Sequence, residues 1–184
     1  DLSVSDIRSY MIMLCNILEA LHSMTPPIIH RDIKPSNIII TSYNYAMLLD
    51  FNAAKQFSGQ HESDTVLIGT PGYAAPEQYG FGSSSPKTDI YSLGVVLREM
   101  LGSITPVPDI APILHRLNLI ADRCTQMTPA ARYQSVAELK NAVSQSYYPA
   151  QHSTSAAGNS SQYAHHNHDN TNNTANADTA KRAI

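Results

Sequence analysis

The feature that most limits how this chain can fold is a pair of short apolar runs with polar residues at both open ends. Ile38-Ile39-Ile40-Thr41 and Ala46-Met47-Leu48-Leu49 are separated by Ser42-Tyr43-Asn44-Tyr45. Apolar, partly β-branched runs joined by turn formers predict an antiparallel hairpin with a four-residue connection. Asn37 lies just before the first run and Asp50 just after the second, equidistant from the turn. Antiparallel pairing would then set them side by side at the open end. An amide carbonyl and a carboxylate there can share a hard cation such as Mg2+, which prefers oxygen ligands. Asp32 stands five residues before Asn37, with Lys34 between them. One corner of the fold thus gathers a carboxylate, an amine, an amide and a second carboxylate.

Around the hairpin the patterning is helical. Ile7, Tyr10, Met11, Leu14, Leu18 and Leu21 recur at intervals of three and four, which predicts a helix over Ser5 to Met24 with one apolar face. Ser3 and Asp6 have capping-box spacing at its start, and Pro26-Pro27 end it. Ile28-Ile29 reads as a further short extended run. Asp89 to Leu101, Ile113 to Cys124 and Ser135 to Ser146 read as three more helices. The fold class expected is mainly α with a small antiparallel hairpin region, an α+β arrangement.

The chain has 184 residues, 42% of them hydrophobic, enough for one domain with a core. A net charge of -3 gives no ground for expecting nucleic acid or an anionic membrane as partner. No apolar run approaches the ~20 residues of a membrane span, and Asp-Leu-Ser-Val-Ser at the start reads as no signal peptide. Cys15 and Cys124 fall among apolar residues at helical spacing and read as buried reduced thiols, which fits a cytoplasmic location. Composition changes near Tyr148. Residues 149–184 are Ala, Ser, Asn, Thr, His and Gln, with almost nothing apolar to offset ordering entropy. This segment is expected to be a disordered tail after a domain over 1–148. His152, His165, His166 and His168 within it lack a rigid frame for a metal.

A carboxylate to orient an attacking hydroxyl, a cation for the moving phosphate, and oxygen donors for a metal are what phosphoryl transfer requires. At this point a family resemblance becomes specific. His30-Arg31-Asp32-Ile33-Lys34-Pro35-Ser36-Asn37 resembles the catalytic loop of protein kinases, and Asp50-Phe51-Asn52 their metal-binding Asp-Phe-Gly. Gly69-Thr70-Pro71-Gly72-Tyr73-Ala74-Ala75-Pro76-Glu77 resembles the end of their activation segment. Asp89-Ile90-Tyr91-Ser92-Leu93-Gly94 resembles the start of their buried central helix. Arg132 matches the arginine that pairs with the Glu of Ala-Pro-Glu. The motifs run in the family's order over about residues 1 to 148. Gly-Tyr-Ala-Ala-Pro-Glu-Gln-Tyr is similar to the wording of eukaryotic-like kinases of bacteria.

The resemblance implies a Ser/Thr protein kinase with ATP and Mg2+ as cofactors and a protein Ser or Thr hydroxyl as acceptor. It makes Asp32 the catalytic base and Lys34 the residue that steadies the γ-phosphate. Thr70 becomes the bridge between these two, and Asn37 and Asp50 become the Mg2+ ligands. Ile39 becomes the floor of the adenine pocket, and His30 and Phe51 members of the apolar spine. Glu77 and Arg132 read as a buried structural pair. Asp89 reads as a cap for its helix or as an acceptor for N–H groups of the catalytic loop. His22 and His115 read as ordinary helix residues. Arg31 has no obvious partner in the local sequence, which points to a regulatory phosphate on Thr65 or Ser63, with Ser58 a further candidate.

Three departures qualify the match. Asn52 stands where the family has a glycine of positive φ, a conformation that Asn tolerates next best. The stretch from Leu101 to Pro108 abbreviates the substrate-docking region. The 184 residues contain no glycine-rich loop and no Val-Ala-Ile-Lys-like strand. The chain therefore reads as a C-terminal-lobe fragment lacking the N-terminal lobe, with little activity alone. Two alternatives stay open: a pseudokinase or interaction module with this fold, and a kinase of small alcohols. Intact Asp32, Lys34, Asn37 and Asp50 weigh against the first, and Lys34, Thr70 and Ala75-Pro76-Glu77 against the second.

Overall fold

In the computed structural model, which describes residues 2–57, 69–80 and 82–146, helix α1 (Val4–His22) starts at the predicted box. Ser3 Oγ accepts from the Asp6 N–H at 3.1 Å, and the Asp6 carboxylate accepts from the Ser3 N–H at 3.0 Å. The predicted face of α1 is buried, apart from Leu21, which is partly buried, and Val4 and Cys15 join it. Helix α2 (Pro86–Gly102) begins three residues before the expected Asp89. Ser85 caps it and Pro86 takes the first helical position, a start signal that the apolar periodicity did not include. Helices α3 (Ala111–Cys124) and α4 (Val136–Gln145, capped by Ser135) follow close to expectation. Residues 103–110 form the whole connection between α2 and α3.

The core lies where α1 and α2 meet, with α3 against α2 and α4 against α1. α2 and α3 approach most closely at Gly94. A Cβ there would stand 2.2 Å from the Cys124 Cβ, so no larger residue fits without moving a helix. Cys15 and Cys124 are both buried free thiols, as the sequence suggests. Burial pushes the Cys15 thiol up to about 12 and raises that of Cys124 as well.

Two small antiparallel sheets sit beside α1. β1 (Ile28–Ile29) pairs with β4 (Lys55–Gln56), and β2 (Ile38–Ile40) pairs with β3 (Ala46–Leu48). Ala46 and Leu48 turn inward toward α1, while Ile39 and its partner Met47 are about half exposed. The register differs from the expectation by one residue: Ile38 faces Leu48 and Ile40 faces Ala46. The turn is the cause. Thr41 N–H donates to the Tyr45 carbonyl, Asn44 N–H donates to the Thr41 carbonyl, and Asn44 has φ 61°. This is a three-residue loop closed by a left-handed Asn, rather than a four-residue connection. Asn37 therefore faces Leu49, whose N–H donates to its carbonyl at 2.8 Å, and Asp50 lies one step beyond.

The tail from 149 to 184 with its histidines, and Ser58, Ser63 and Thr65, lie outside the described residues. Among the described residues no group of His, Cys, Asp and Glu could hold a metal by itself, and no helix is long and apolar enough to cross a membrane.

Candidate active site

The loop after β1 is held from below by one buried carboxylate. Asp89, in the first turn of α2, is wholly buried and caps nothing on its own helix. It accepts from the His30 N–H at 2.9 Å and the Arg31 N–H at 2.8 Å. Arg31 has φ 67°, a left-handed conformation that costs a side-chain-bearing residue energy unless its surroundings impose it. The imposition is visible on both sides of the residue. Its N–H goes to Asp89, and its carbonyl accepts from Gln78 Nε2 at 2.8 Å. The Arg31 guanidinium is also engaged, with Nε donating to the Ala53 carbonyl at 2.7 Å. The expectation that this cation lacks a local partner is thus corrected. A backbone carbonyl brought in by the turn after Asp50 meets it, and such a partner has no side-chain signature in the sequence.

His30 is fully buried. Its Nε2 donates to the Leu49 carbonyl at 3.1 Å, and its ring meets Phe51 edge to face at 4.8 Å. Loop and hairpin are fastened together at this point.

Asp32, Lys34, Asn37 and Thr70 converge. Lys34 Nζ lies 2.9 Å from Asp32 Oδ2 and donates to Thr70 Oγ1 at 2.7 Å. The Thr70 hydroxyl donates to Asp32 Oδ1 at 2.7 Å. Asn37, presented by the tight turn Pro35–Asn37, donates through Nδ2 to the Asp32 carbonyl at 2.8 Å and to Asp32 Oδ2 at 3.1 Å. Partial burial works to raise the Asp32 carboxyl. The bonds from Thr70, Lys34 and Asn37, with the Lys34 charge, outweigh it and hold the carboxyl below its usual range. Asp32 is therefore an ionised acceptor at neutral pH, with an ammonium beside it and a water-facing edge.

Thr70 reaches this corner because Gly69 precedes it. Gly69 has φ 118°, and a Cβ there would meet Ala74 Cβ and Gln78 Nε2 at 2.8 Å. Tyr73 secures the same segment to α2 by donating its hydroxyl to Glu99 at 2.6 Å, while its carbonyl accepts from the Ser92 hydroxyl.

Two predicted positions stand apart from the cluster. Ile39 is mid-strand and half exposed. Asp50 is exposed with φ 61°; its carboxylate accepts from the Asn52 N–H at 3.2 Å and bonds to neither Asn37 nor Asp32. The positive φ expected at Asn52 is found at Asp50 instead. The Asp50–Asn52 bond and the Ala54 N–H to Phe51 carbonyl bond form a turn that Asn52 enters without left-handed backbone. The oxygen donors a hard cation would need are available. Asn37 turns its NH2 inward and leaves its carbonyl oxygen uncommitted, and Asp50 presents a carboxylate to solvent.

Glu77 and Arg132 form the expected buried pair. The guanidinium reaches Glu77 Oε1 at 2.7 Å and Oε2 at 2.8 Å. Its remaining N–H groups go to the carbonyls of Gln126, Lys87 and Met127. The reading of His22 as an ordinary helix residue is corrected: its Nε2 lies 2.8 Å from Asp89 Oδ2. Gln78 and Gly69 also escaped functional assignment. Their contacts cross from one loop to another, and local periodicity carries no trace of them.

The edge of this helical lobe presents an ionised carboxylate, a lysine and a threonine in one hydrogen-bonded cycle, with the uncommitted Asn37 carbonyl oxygen beside it, and these are groups that phosphoryl transfer calls for. The chain matches the protein kinase domain over residues 1–163 and belongs to that family. It is 45% identical over 87 residues to a probable LRR receptor-like serine/threonine-protein kinase of Arabidopsis thaliana, covering 46% of this chain and 10% of the relative. It is 39% identical over 127 residues to a putative leucine-rich repeat receptor-like serine/threonine-protein kinase of the same plant, covering 67% of this chain and 14% of the relative. The chain thus spans a small part of the length of the curated relatives it matches.

Proposed function

We propose that this chain carries the hydroxyl-binding half of a Ser/Thr protein kinase, which transfers the γ-phosphate of ATP to a protein Ser or Thr. The observation that carries this reading is the Thr70 hydroxyl set between Lys34 Nζ and Asp32 Oδ1, at 2.7 Å from each. Asp32, held ionised, accepts the hydrogen bond of the substrate hydroxyl and takes its proton as the new P–O bond forms. Lys34 balances charge on the γ-phosphate, and Thr70 keeps carboxylate and ammonium at fixed separation. Asn37 and Asp50 would hold Mg2+, which when bound neutralises charge on the phosphate oxygens. Ile39 offers its half-exposed side chain to the adenine face. The wording of residues 72–79 supports a eukaryotic-like bacterial type within the class, and the two buried thiols support a reducing compartment such as the cytoplasm.

Phosphate transfer from ATP to a generic basic protein tests the reading, assayed with the chain alone and with any longer protein that carries it. The 184 residues hold no glycine-rich loop and no strand lysine for the α- and β-phosphates, so the chain alone is expected to turn over little. In an active longer protein Asp32→Asn should lower kcat by about 10²–10⁴-fold. Full activity in that variant would refute the assignment.

A further inference from the structure

Gln78 stands in the tight turn Pro76–Tyr79, is 2% exposed, and ties two segments together with one amide. Its Oε1 accepts from the Ala75 N–H at 2.9 Å, at the start of its own turn. Its Nε2 donates to the Arg31 carbonyl at 2.8 Å, across to the loop after β1. Burying an amide forfeits its hydration, and an apolar side chain of the same length would fill this place without that loss. What the amide adds is a partner for two buried backbone groups, each costly to leave unmet.

The foot of this bridge is firm. Glu77, the residue before Gln78, is gripped by Arg132 at 2.7 and 2.8 Å and by the Thr88 hydroxyl at 3.0 Å. At its far end, the Arg31 carbonyl belongs to the peptide unit that leads into Asp32. That unit is planar, so a bond to its oxygen also restrains the Asp32 Cα. A third segment packs on the bridge itself. A Cβ on Gly69 would stand 2.8 Å from Gln78 Nε2 and 3.4 Å from the Arg31 carbonyl oxygen, so only a glycine lets this backbone come so close. Thr70 follows Gly69. The Gln78 amide thus lies one residue away from both Asp32 and Thr70, whose side chains meet at 2.7 Å.

We propose that Gln78 is a positioning residue: its Nε2 bond to the Arg31 carbonyl keeps the backbones that carry Asp32 and Thr70 at the separation their side-chain bond requires. The inference rests on the reading of Asp32 as the catalytic base, but its structural half is measurable without turnover.

In the unmodified chain, a nitrogen-edited proton spectrum should show a Gln78 side-chain proton that exchanges with water more slowly than those of the exposed Gln56; equal rates would overturn the proposal before any variant is made. Two variants then divide the amide. Gln78→Glu keeps an acceptor for the Ala75 N–H and loses the donor, whereas Gln78→Met, of similar length, loses both. The Tyr73 and Ala74 N–H groups, which donate to the Thr70 carbonyl, report on the segment that carries Thr70. Their exchange should quicken about tenfold in both variants, one hydrogen bond's worth, while interior amides of α1 and α2 keep their rates. The Ala75 N–H should quicken in Gln78→Met alone. Exchange that changes only at Ala75, or rises uniformly across the fold, would show that Gln78 merely caps its own turn or fills space. In a longer, active protein both variants should lower kcat about tenfold with the KM for ATP unchanged. Full kcat in Gln78→Glu would overturn the proposal. If transfer there proves independent of Asp32, the kinase reading fails, and the exchange pattern at Tyr73 and Ala74 alone decides whether Gln78 holds the two segments together.

Discussion

Two ion pairs in this protein use the same kinds of charge to opposite ends. Glu77–Arg132 has side-chain exposures of 7% and 0%, whereas Asp32–Lys34 has 14% and 22%. Every N–H of the Arg132 guanidinium is committed, two to Glu77 and three to backbone carbonyls. The Lys34 ammonium meets one carboxylate oxygen and one hydroxyl, and a third donor remains for something else. Asp32 has a solvent-facing edge, while Glu77 is further bound by the Thr88 hydroxyl. A pair with nothing left over is a fastener; a pair with capacity left, at the surface, can receive a substrate. Burial and the count of committed donors separate the two roles, although the sequence writes both as one acid and one base.

The comparison breaks most visibly if the fastener is cut. Arg132→Ala leaves Glu77 charged, buried and alone, and should cost about 3–5 kcal/mol in a urea titration. Loss below 1 kcal/mol would mean that the pair is not what closes the lobe. An uncharged benchmark in the same core is Gly94→Ala. Its Cβ would collide with Cys124, and overpacking of this kind should cost about 1–3 kcal/mol in the same titration. On the other side of the comparison, Thr70→Val removes both hydroxyl bonds in a partly exposed place. Stability should fall by only about 1 kcal/mol, while phosphate transfer by an active longer protein should fall far more. A loss of stability equal to that of Arg132→Ala would erase the distinction. The smallest effect is a pH dependence. The Asp32 carboxyl is lowered in the folded state, so its stabilisation is fully present above the ordinary value of 3.8 and is lost as pH falls below that toward its depressed value. Acid unfolding of Asp32→Asn should therefore lack this part of the wild-type slope, with no difference in slope near neutrality.

What the sequence made legible was local. Period and caps located α1, α3 and α4, and the spacing of Asp32, Lys34 and Asn37 within one loop announced the cluster that the fold assembles. What it hid depends on contacts between distant segments. The start of α2 at Pro86 was obscured because the apolar rhythm sets in only later, although Ser85-Pro86 was a readable signal. The hairpin register hung on a single left-handed residue, Asn44, and an Asn among polar neighbours does not declare its φ. Arg31 seemed unpaired because its partner at Ala53 is a carbonyl, which every residue possesses. His22 sits far from Asp89 in sequence, and only the packing of α1 on α2 brings its ring to that carboxylate.

The turn at residues 42–44 acts as a ruler for everything downstream of it. Side chains on a strand alternate between faces, so the length of this loop decides which residues of β3 reach α1. One residue more would direct Met47 inward in place of Ala46 and Leu48, and would shift Asp50 by one position relative to Asn37. Tyr43, at the tip, is 83% exposed and its identity is of little consequence to the lobe. Apart from the left-handed Asn44, what this stretch has to preserve is a number of residues rather than a composition. Exchanges of side chain at the tip should therefore pass where a single insertion or deletion would dismantle the site.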